Sequence, residues 1–199
     1  MRAVFIGPPG SGKGTQAKLL QERLGFVCIG TGDILRENVA QGTVLGRRAD
    51  EFMRQGQLVP DELVNGMVAD RLGRADRPEH FILDGYPRNV AQARTLDANL
   101  RHLDLTLMVV VLFTIDDEIV AQRMLSRKRV DDTEETVRVR IRLYHEASRD
   151  LIAYYKQQGL VREIGADGLV EHLYVKVAGT LLSGKSDSCY VSSSPALRS

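Results

Sequence analysis

Residues 7–15 read Gly7-Pro8-Pro9-Gly10-Ser11-Gly12-Lys13-Gly14-Thr15. The stretch follows a short apolar run, Ala3-Val4-Phe5-Ile6, which reads as a buried strand. It leads into Gln16 to Leu24, where Ala17, Leu19, Leu20 and Leu24 give an amphipathic helical pattern. Strand, glycine-rich turn, helix is the context in which such a pattern becomes a phosphate-binding loop rather than a chance turn. Glycines lack a Cβ, so backbone N–H groups can curl around a polyphosphate. The helix start adds its positive dipole end, and Lys13 brings a full charge to the β- and γ-phosphates.

One departure from the common pattern is informative. The usual loop ends Gly-Lys-Ser/Thr, with the hydroxyl on Mg²⁺. Here Gly14 holds that position and Thr15 follows it. A GTPase or motor ATPase needs the hydroxyl, so its absence points to the small nucleotide-kinase branch of phosphate-loop proteins.

The chain has 199 residues, enough for one domain with a sizeable core. A net charge of +1 supplies no overall field toward nucleic acid or a membrane surface. The two cysteines, Cys28 and Cys189, form no metal-ligand spacing or disulfide framework, which suits a reducing compartment. The first strand begins at once, so no leader is expected. The longest apolar run, Leu105 to Ile115, is too short to span a bilayer. A cytoplasmic protein is the expectation.

Strands are expected at Arg2–Ile6, Val27–Ile29, Phe81–Asp84, Met108–Phe113 and Val161–Ile164, with helical patterns between them. Their near-continuous apolar character fits an α/β fold with a parallel sheet covered on both faces. Thr31 to Gly73 reads as three short helices inserted between the second and third strands. Residues 183–199 hold seven serines in 17 positions and little periodicity, and read as a disordered tail.

Further chemistry clusters around two segments. Phe81-Ile82-Leu83-Asp84-Gly85 is an apolar strand ending in a carboxylate. At the C-terminal edge of a parallel sheet, where ligands bind, such an Asp helps hold Mg²⁺, often through water. Pro87 fixes the backbone just before Arg88 and is a candidate for a cis bond. The second segment holds Arg123, Arg127 and Arg129, followed by Arg138 and Arg140. Arg123 and Arg127 stand four apart, so they are expected to share one helix face. A solvated network with the acids of 131–135 is the plain reading of a charge run. Next to a phosphate loop, the cluster instead suits transfer between two polyphosphates, which is largely positioning and electrostatics. A mobile arm of arginines would also exclude water. Met53 reads equally as core packing or as the floor of a base pocket.

Together these motifs resemble adenylate kinase, the ATP:AMP phosphotransferase, in its short-lid form, from residue 1 to about 182. Gly7 to Gln16 is similar to its phosphate loop, including Gly14 before Thr15. Thr31-Gly32-Asp33-Ile34-Leu35-Arg36, Gln57-Leu58-Val59-Pro60 and Asp84-Gly85-Tyr86-Pro87-Arg88 with Gln92 are similar to its AMP site. Arg129-Val130-Asp131-Asp132, Glu134-Glu135 and Arg140 are similar to its lid boundary and the helix beyond.

The resemblance implies a doubly wound five-stranded parallel sheet with a helical AMP-binding insert and a short lid. A single kinase domain would span 1–182, with its core at 1–29, 60–126 and 133–182, the insert at 30–59 and the lid at 127–132. It implies that Gly10, Ser11, Gly12, Lys13, Gly14 and Thr15 hold ATP phosphates. Arg123 would stack on the ATP base, Arg127 would contact ATP, and the Gly168 backbone would touch the base. AMP would meet Thr31, Arg36, Met53, Gln57, Leu58, Val59, Gly85, Tyr86, Pro87, Arg88 and Gln92. Arg36 and Arg88 would grip its phosphate and Gln92 its adenine edge, while Arg129 and Arg140 would bridge the phosphates near the transfer point. Lys13, Arg88, Arg123, Arg127, Arg129, Arg140 and Asp84 form the implied catalytic set, with Mg²⁺ on Asp84 through water. ATP, AMP and ADP are the implied partners and a monomer the implied state.

Between Arg127 and Arg129 the lid is reduced to Lys128, where short-lid members carry several residues including a glycine. The long-lid form with its four-cysteine zinc site does not fit, so no structural zinc is expected. A UMP/CMP kinase is the nearest alternative, with Asn89 mildly in its favour; Thr31 and Gln92 would be Ala and Asn in such a site. A GTP-using relative is harder to separate, because the donor base is read largely through backbone near Gly168. A non-catalytic nucleotide sensor would lack the transfer arginines that this chain retains.

Overall fold

The computed structural model describes residues 1–127 and 132–183. Five strands, β1 (Arg2–Ile6), β2 (Val27–Gly30), β3 (Phe81–Asp84), β4 (Val109–Thr114) and β5 (Val161–Gly165), form one parallel sheet in the order β2-β3-β1-β4-β5. The β4 strand starts one residue later and runs one further than the apolar run suggested. Met108 N–H still donates to the Arg2 carbonyl at 3.0 Å, so the shift lies at a fraying end.

Burial explains the strand composition. Successive side chains point to opposite faces, and both faces are covered. Val4 and Ile6 of β1 join one core with Leu83, Val110 and Leu112. Ala3 and Phe5 join the other with Ile82, Val111 and Phe113. The first core takes in α4 (Asp61–Gly73), α5 (Val90–His102) and α7 (Glu134–Gln157); the second takes in α1 (Lys13–Leu24) and α8 (Val170–Ser183).

The helices begin where short polar side chains satisfy the first free N–H groups. Asn89 caps α5 by accepting from Gln92 N–H. Asp116 caps α6 (Asp117–Ser126) by accepting from Glu118 N–H. Thr133 and Thr136 form a reciprocal capping pair at the start of α7.

The stretch from Thr31 to Gly73 is all helical, as its pattern suggested: α2 (Thr31–Ala40), α3 (Val44–Arg54) and α4. Gly46 lets α3 press onto α2, since a Cβ there would lie 2.0 Å from the Asn38 carbonyl oxygen. Leu35 and Ala49 join the first core, which seats this insert beside the C-terminal end of β3. A third, small cluster of Val120, Met124 and Val137 joins α6 to α7. Among the described residues no helix is long and apolar enough to cross a membrane. The expected tail, apart from Ser183 at the end of α8, lies outside the described residues, as do Lys128 and Arg129.

Candidate active site

The C-terminal ends of β1, β2 and β3 open into a cleft of about 1200 Å³. β1 is the strand from which the chain winds in both directions, with β3 on one side and β4 on the other. Such a reversal leaves a crevice above the strand ends. The 7–15 loop fills its base. Gly10 takes φ +87, and a Cβ there would lie 3.0 Å from the Val120 carbonyl oxygen, so the loop can pack against α6 only as glycine. Gly12, at φ 93, turns the chain into α1.

Lys13, the first residue of α1, folds back over the loop. Its Nζ donates to the carbonyls of Gly7 (2.7 Å) and Pro8 (2.8 Å) and to Ser11 Oγ (3.2 Å). Its pKa is lowered to about 8, chiefly by burial, with Asp84 opposing and Arg88 and Arg127 adding to the drop. Arg88 is likewise held below the ordinary arginine range, first by its depth in the protein and then by Arg140 and Arg36, against the pull of Asp84. Its guanidinium remains open to the water of the cleft, and Nε donates to the Gly85 carbonyl at 2.8 Å. Lys13 and Arg88 thus share one carboxylate, with further cations close to each. Mutual repulsion of this kind is relieved when a polyanion enters.

Asp84 ends β3 opposite Phe5 in the register, level with the start of the loop. Its Oδ2 lies 3.4 Å from where a Gly14 Cβ would stand, so it faces the glycine that replaces the usual hydroxyl residue. Among the described residues no group of three or more His, Cys, Asp or Glu side chains could cage a metal. A single carboxylate beside a phosphate loop suits Mg²⁺, which keeps several waters and takes its other ligands from substrate phosphates.

The insert side carries most of the expected acceptor residues. Thr31, buried at the start of α2, donates from Oγ1 to the Gly85 carbonyl at 3.1 Å. Arg36 lies one turn on, paired with Asp33 at 2.5 Å. These two, with Met53, Gln57, Leu58, Val59, Gly85, Pro87 and Arg88, line the cleft. The Tyr86–Pro87 bond is cis. Tyr86 and Gln92 instead lie behind the wall. Tyr86 is fully buried, and its hydroxyl donates to Asn65 Oδ1 (2.7 Å) and the Gln92 carbonyl (3.2 Å). Gln92 is 2% exposed; its Oε1 accepts from Arg88 N–H at 2.7 Å and its Nε2 donates to Asp61 Oδ1 at 2.7 Å.

On the opposite side Arg123 and Arg127 both line the cleft but diverge. The α6 helix ends at Ser126 and Arg127 is its C-cap, so the expected shared helix face stops one residue short. Arg123 donates to the Ala166 carbonyl (2.9 Å) and, more weakly, to that of Asp167 (3.4 Å), beside Gly168. Arg127 forks onto Asp132 at 2.5 and 3.0 Å. Arg140 donates to the same carboxylate at 2.7 Å and to the Met53 carbonyl at 3.2 Å. The Asp132 side chain is wholly buried between the two guanidinium groups. The ion pairing expected of the charge run is therefore met at one acid, but buried rather than solvated, while the same arginines reach the cleft.

Three residues have roles that motif reading missed. Asp132 bridges Arg127 and Arg140. Asp61 accepts from both Gln92 and Asn89. Gln16 donates from Nε2 to the Val170 carbonyl at 3.0 Å, tying α1 to the start of α8. The signal for Asp61 and Gln16 lay only in a polar residue occupying a packed helical position.

The family model described as adenylate kinase matches residues 5–160. The adenylate kinase of Thermobifida fusca is 45% identical over 187 residues, covering 92% of this chain and 99% of that relative. That of Corynebacterium urealyticum is 47% identical over 173 residues, covering 87% and 94%. The adenylate kinase of a Synechococcus strain is 43% identical over 180 residues, covering 90% and 98%.

Proposed function

We infer how the cleft works from one premise: the chain belongs to the adenylate kinase family. It is a phosphotransferase that moves the terminal phosphoryl group of ATP to AMP, giving two ADP, and it binds all three nucleotides. The observation that carries the assignment of residues is the surplus of cations along the cleft: Lys13 and Arg88 share Asp84, and Arg36, Arg127 and Arg140 stand near them paired with Asp33 and Asp132, which suits two polyphosphates meeting end to end.

ATP phosphates lie on the loop, with the N–H groups of Gly10 to Thr15 and the Lys13 ammonium against them. Ser11 supports the loop from beneath, its hydroxyl on Lys13. Lys13 exchanges its carbonyl partners for phosphate oxygens. The ATP base enters beside Arg123 and Gly168. AMP lies against the insert, its phosphate held by Arg36 and Arg88 and its base among Thr31, Met53, Gln57, Leu58, Val59, Gly85 and Pro87, with the Gln92 amide meeting the base edge from behind that wall and Tyr86 supporting it from deeper in the core. Arg127 and Arg140 leave the Asp132 bridge and, joined by the Arg129 of the motif, take up the charge of the moving phosphoryl group. Asp84 would hold Mg²⁺ through water, and the ion would supply neutralisation of the polyphosphate charge. The AMP phosphate oxygen attacks directly and in line, with no phosphoenzyme. The insert (30–59) and lid (127–132) close over the kinase domain (1–182) and exclude water, which would otherwise hydrolyse ATP. A monomer and a cytoplasmic location suit a reaction between small, soluble nucleotides.

Transfer from Mg·ATP to AMP, UMP, CMP and GMP, followed in parallel as ADP, tests the acceptor side. Fast transfer to AMP alone is the expected result. Preference for UMP or CMP would overturn the roles given to Thr31 and Gln92.

A further inference from the structure

Beneath the acceptor wall, three side chains form a closed polar network. Asp61, in the first turn of α4, accepts at Oδ1 from Gln92 Nε2 (2.7 Å), and from Asn89 Nδ2 at both oxygens (3.2 and 2.9 Å). Asn89 Oδ1 accepts from Gln92 N–H at 2.8 Å. On its other side Gln92 Oε1 accepts from Arg88 N–H at 2.7 Å.

A glutamine amide is close to symmetric in shape, and only its neighbours decide which end is oxygen. Here both neighbours are one-way groups. An ionised carboxylate can only accept, and a backbone N–H can only donate. Turning the amide over would set oxygen against the Asp61 carboxylate and NH₂ against the Arg88 N–H. In a side chain that is 2% exposed, water cannot relieve either clash.

The count of remaining valences is the consequence. Nε2 has two N–H groups and Oε1 two lone pairs. The network uses one of each, so one donor and one acceptor remain, at ends of the amide whose order is fixed. The six-membered edge of adenine offers an acceptor at N1 and a donor at the exocyclic amine, which match. Hypoxanthine and guanine carry N–H at N1 and oxygen at C6, so both positions oppose. The flipped amide would suit those bases instead.

We propose that Asp61 is a specificity-determining positioning residue, which fixes the polarity of the Gln92 amide so that the acceptor site takes adenine and rejects 6-oxopurines. The proposal rests on the reading that Gln92 faces the AMP base.

The experiment measures kcat/KM for AMP and for IMP, with ATP as donor, in the wild type, Asp61→Ala and Gln92→Leu. IMP differs from AMP only at the two positions in question. Asp61→Ala should lower the AMP:IMP ratio by about fivefold or more, the low end for one bidentate amide contact, with KM for ATP unchanged. A merely structural loss would lower both substrates together and leave the ratio alone. If Asp61→Ala melts below the assay temperature, Asp61→Asn is scored on the same ratio, where loss of the one-way acceptor should again lower it. An unchanged ratio in the Asp61 variant, with Gln92→Leu lowering it, overturns the proposal. An unchanged ratio in Gln92→Leu overturns the reading beneath it.

Discussion

Lys13 and Arg88 are the two residues whose charge the cleft makes most costly to hold. Free lysine titrates at 10.5 and Lys13, without nucleotide, at about 8. Below pH 8 the ammonium is charged in both folded and unfolded chains, and burying it costs stability. Between about 8 and 10.5 the unfolded chain binds the extra proton, so this residue's effect on stability improves as pH rises through that window. Phosphate oxygens reverse the shift by giving the ammonium an anionic partner. ATP binding at pH 8.5 should therefore take up protons, and ATP affinity should weaken as pH rises through 8. Calorimetric titration in two buffers of different ionisation heat reads this directly; equal heats in both would remove Lys13 from the phosphate site. Arg88→Ala should lower kcat by about 10³-fold or more, the scale of a transition-state arginine. Near-normal kcat and KM for AMP in that variant would overturn its role.

At the level of elements, the α2–α3 contact is the least forgiving. Gly46→Ala places a methyl group 2.0 Å from the Asn38 carbonyl oxygen, so α3 must lift from α2. A loss of about 1–3 kcal/mol is expected from overpacking, read by urea unfolding, with KM for AMP rising more than KM for ATP. No loss of stability would mean the insert repacks freely. The elements themselves were legible because each strand is a short, nearly unbroken apolar run buried on both faces. The three insert helices were legible because their apolar spacing lacks any strand-like run. The glycine-rich loop at the cleft base was equally readable, since backbone conformation fixes its residue types at fixed offsets from Lys13. Side-chain pairing across distant elements was not. Nothing in local spacing ties Asp61 to Gln92, Gln16 to the Val170 carbonyl, or Asp132 to Arg140. Nor does a motif reveal depth, and Tyr86 and Gln92 stand behind the wall that their neighbours Pro87 and Arg88 form.

The molecule as a whole joins two large cores, one on each face of the sheet, to a much smaller cluster under α6 and α7. Rigid-body movement belongs where the fewest apolar contacts resist it. Solution scattering should show the radius of gyration fall when ATP and AMP bind together, and fall less with either alone. An unchanged radius would argue against closure as the means of excluding water. The Asp132 bridge bears on the same motion from another side. Its carboxylate occupies Arg127 and Arg140 much as a phosphate oxygen would, so the resting enzyme carries its own tethered competitor. A small free anion must evict that competitor using charge alone, whereas a nucleotide arrives anchored by base and sugar. On the role proposed for Arg127 and Arg140, the arrangement would set a threshold, holding these arginines back from the salts and inorganic phosphate of their surroundings and yielding them to ligands held at two ends.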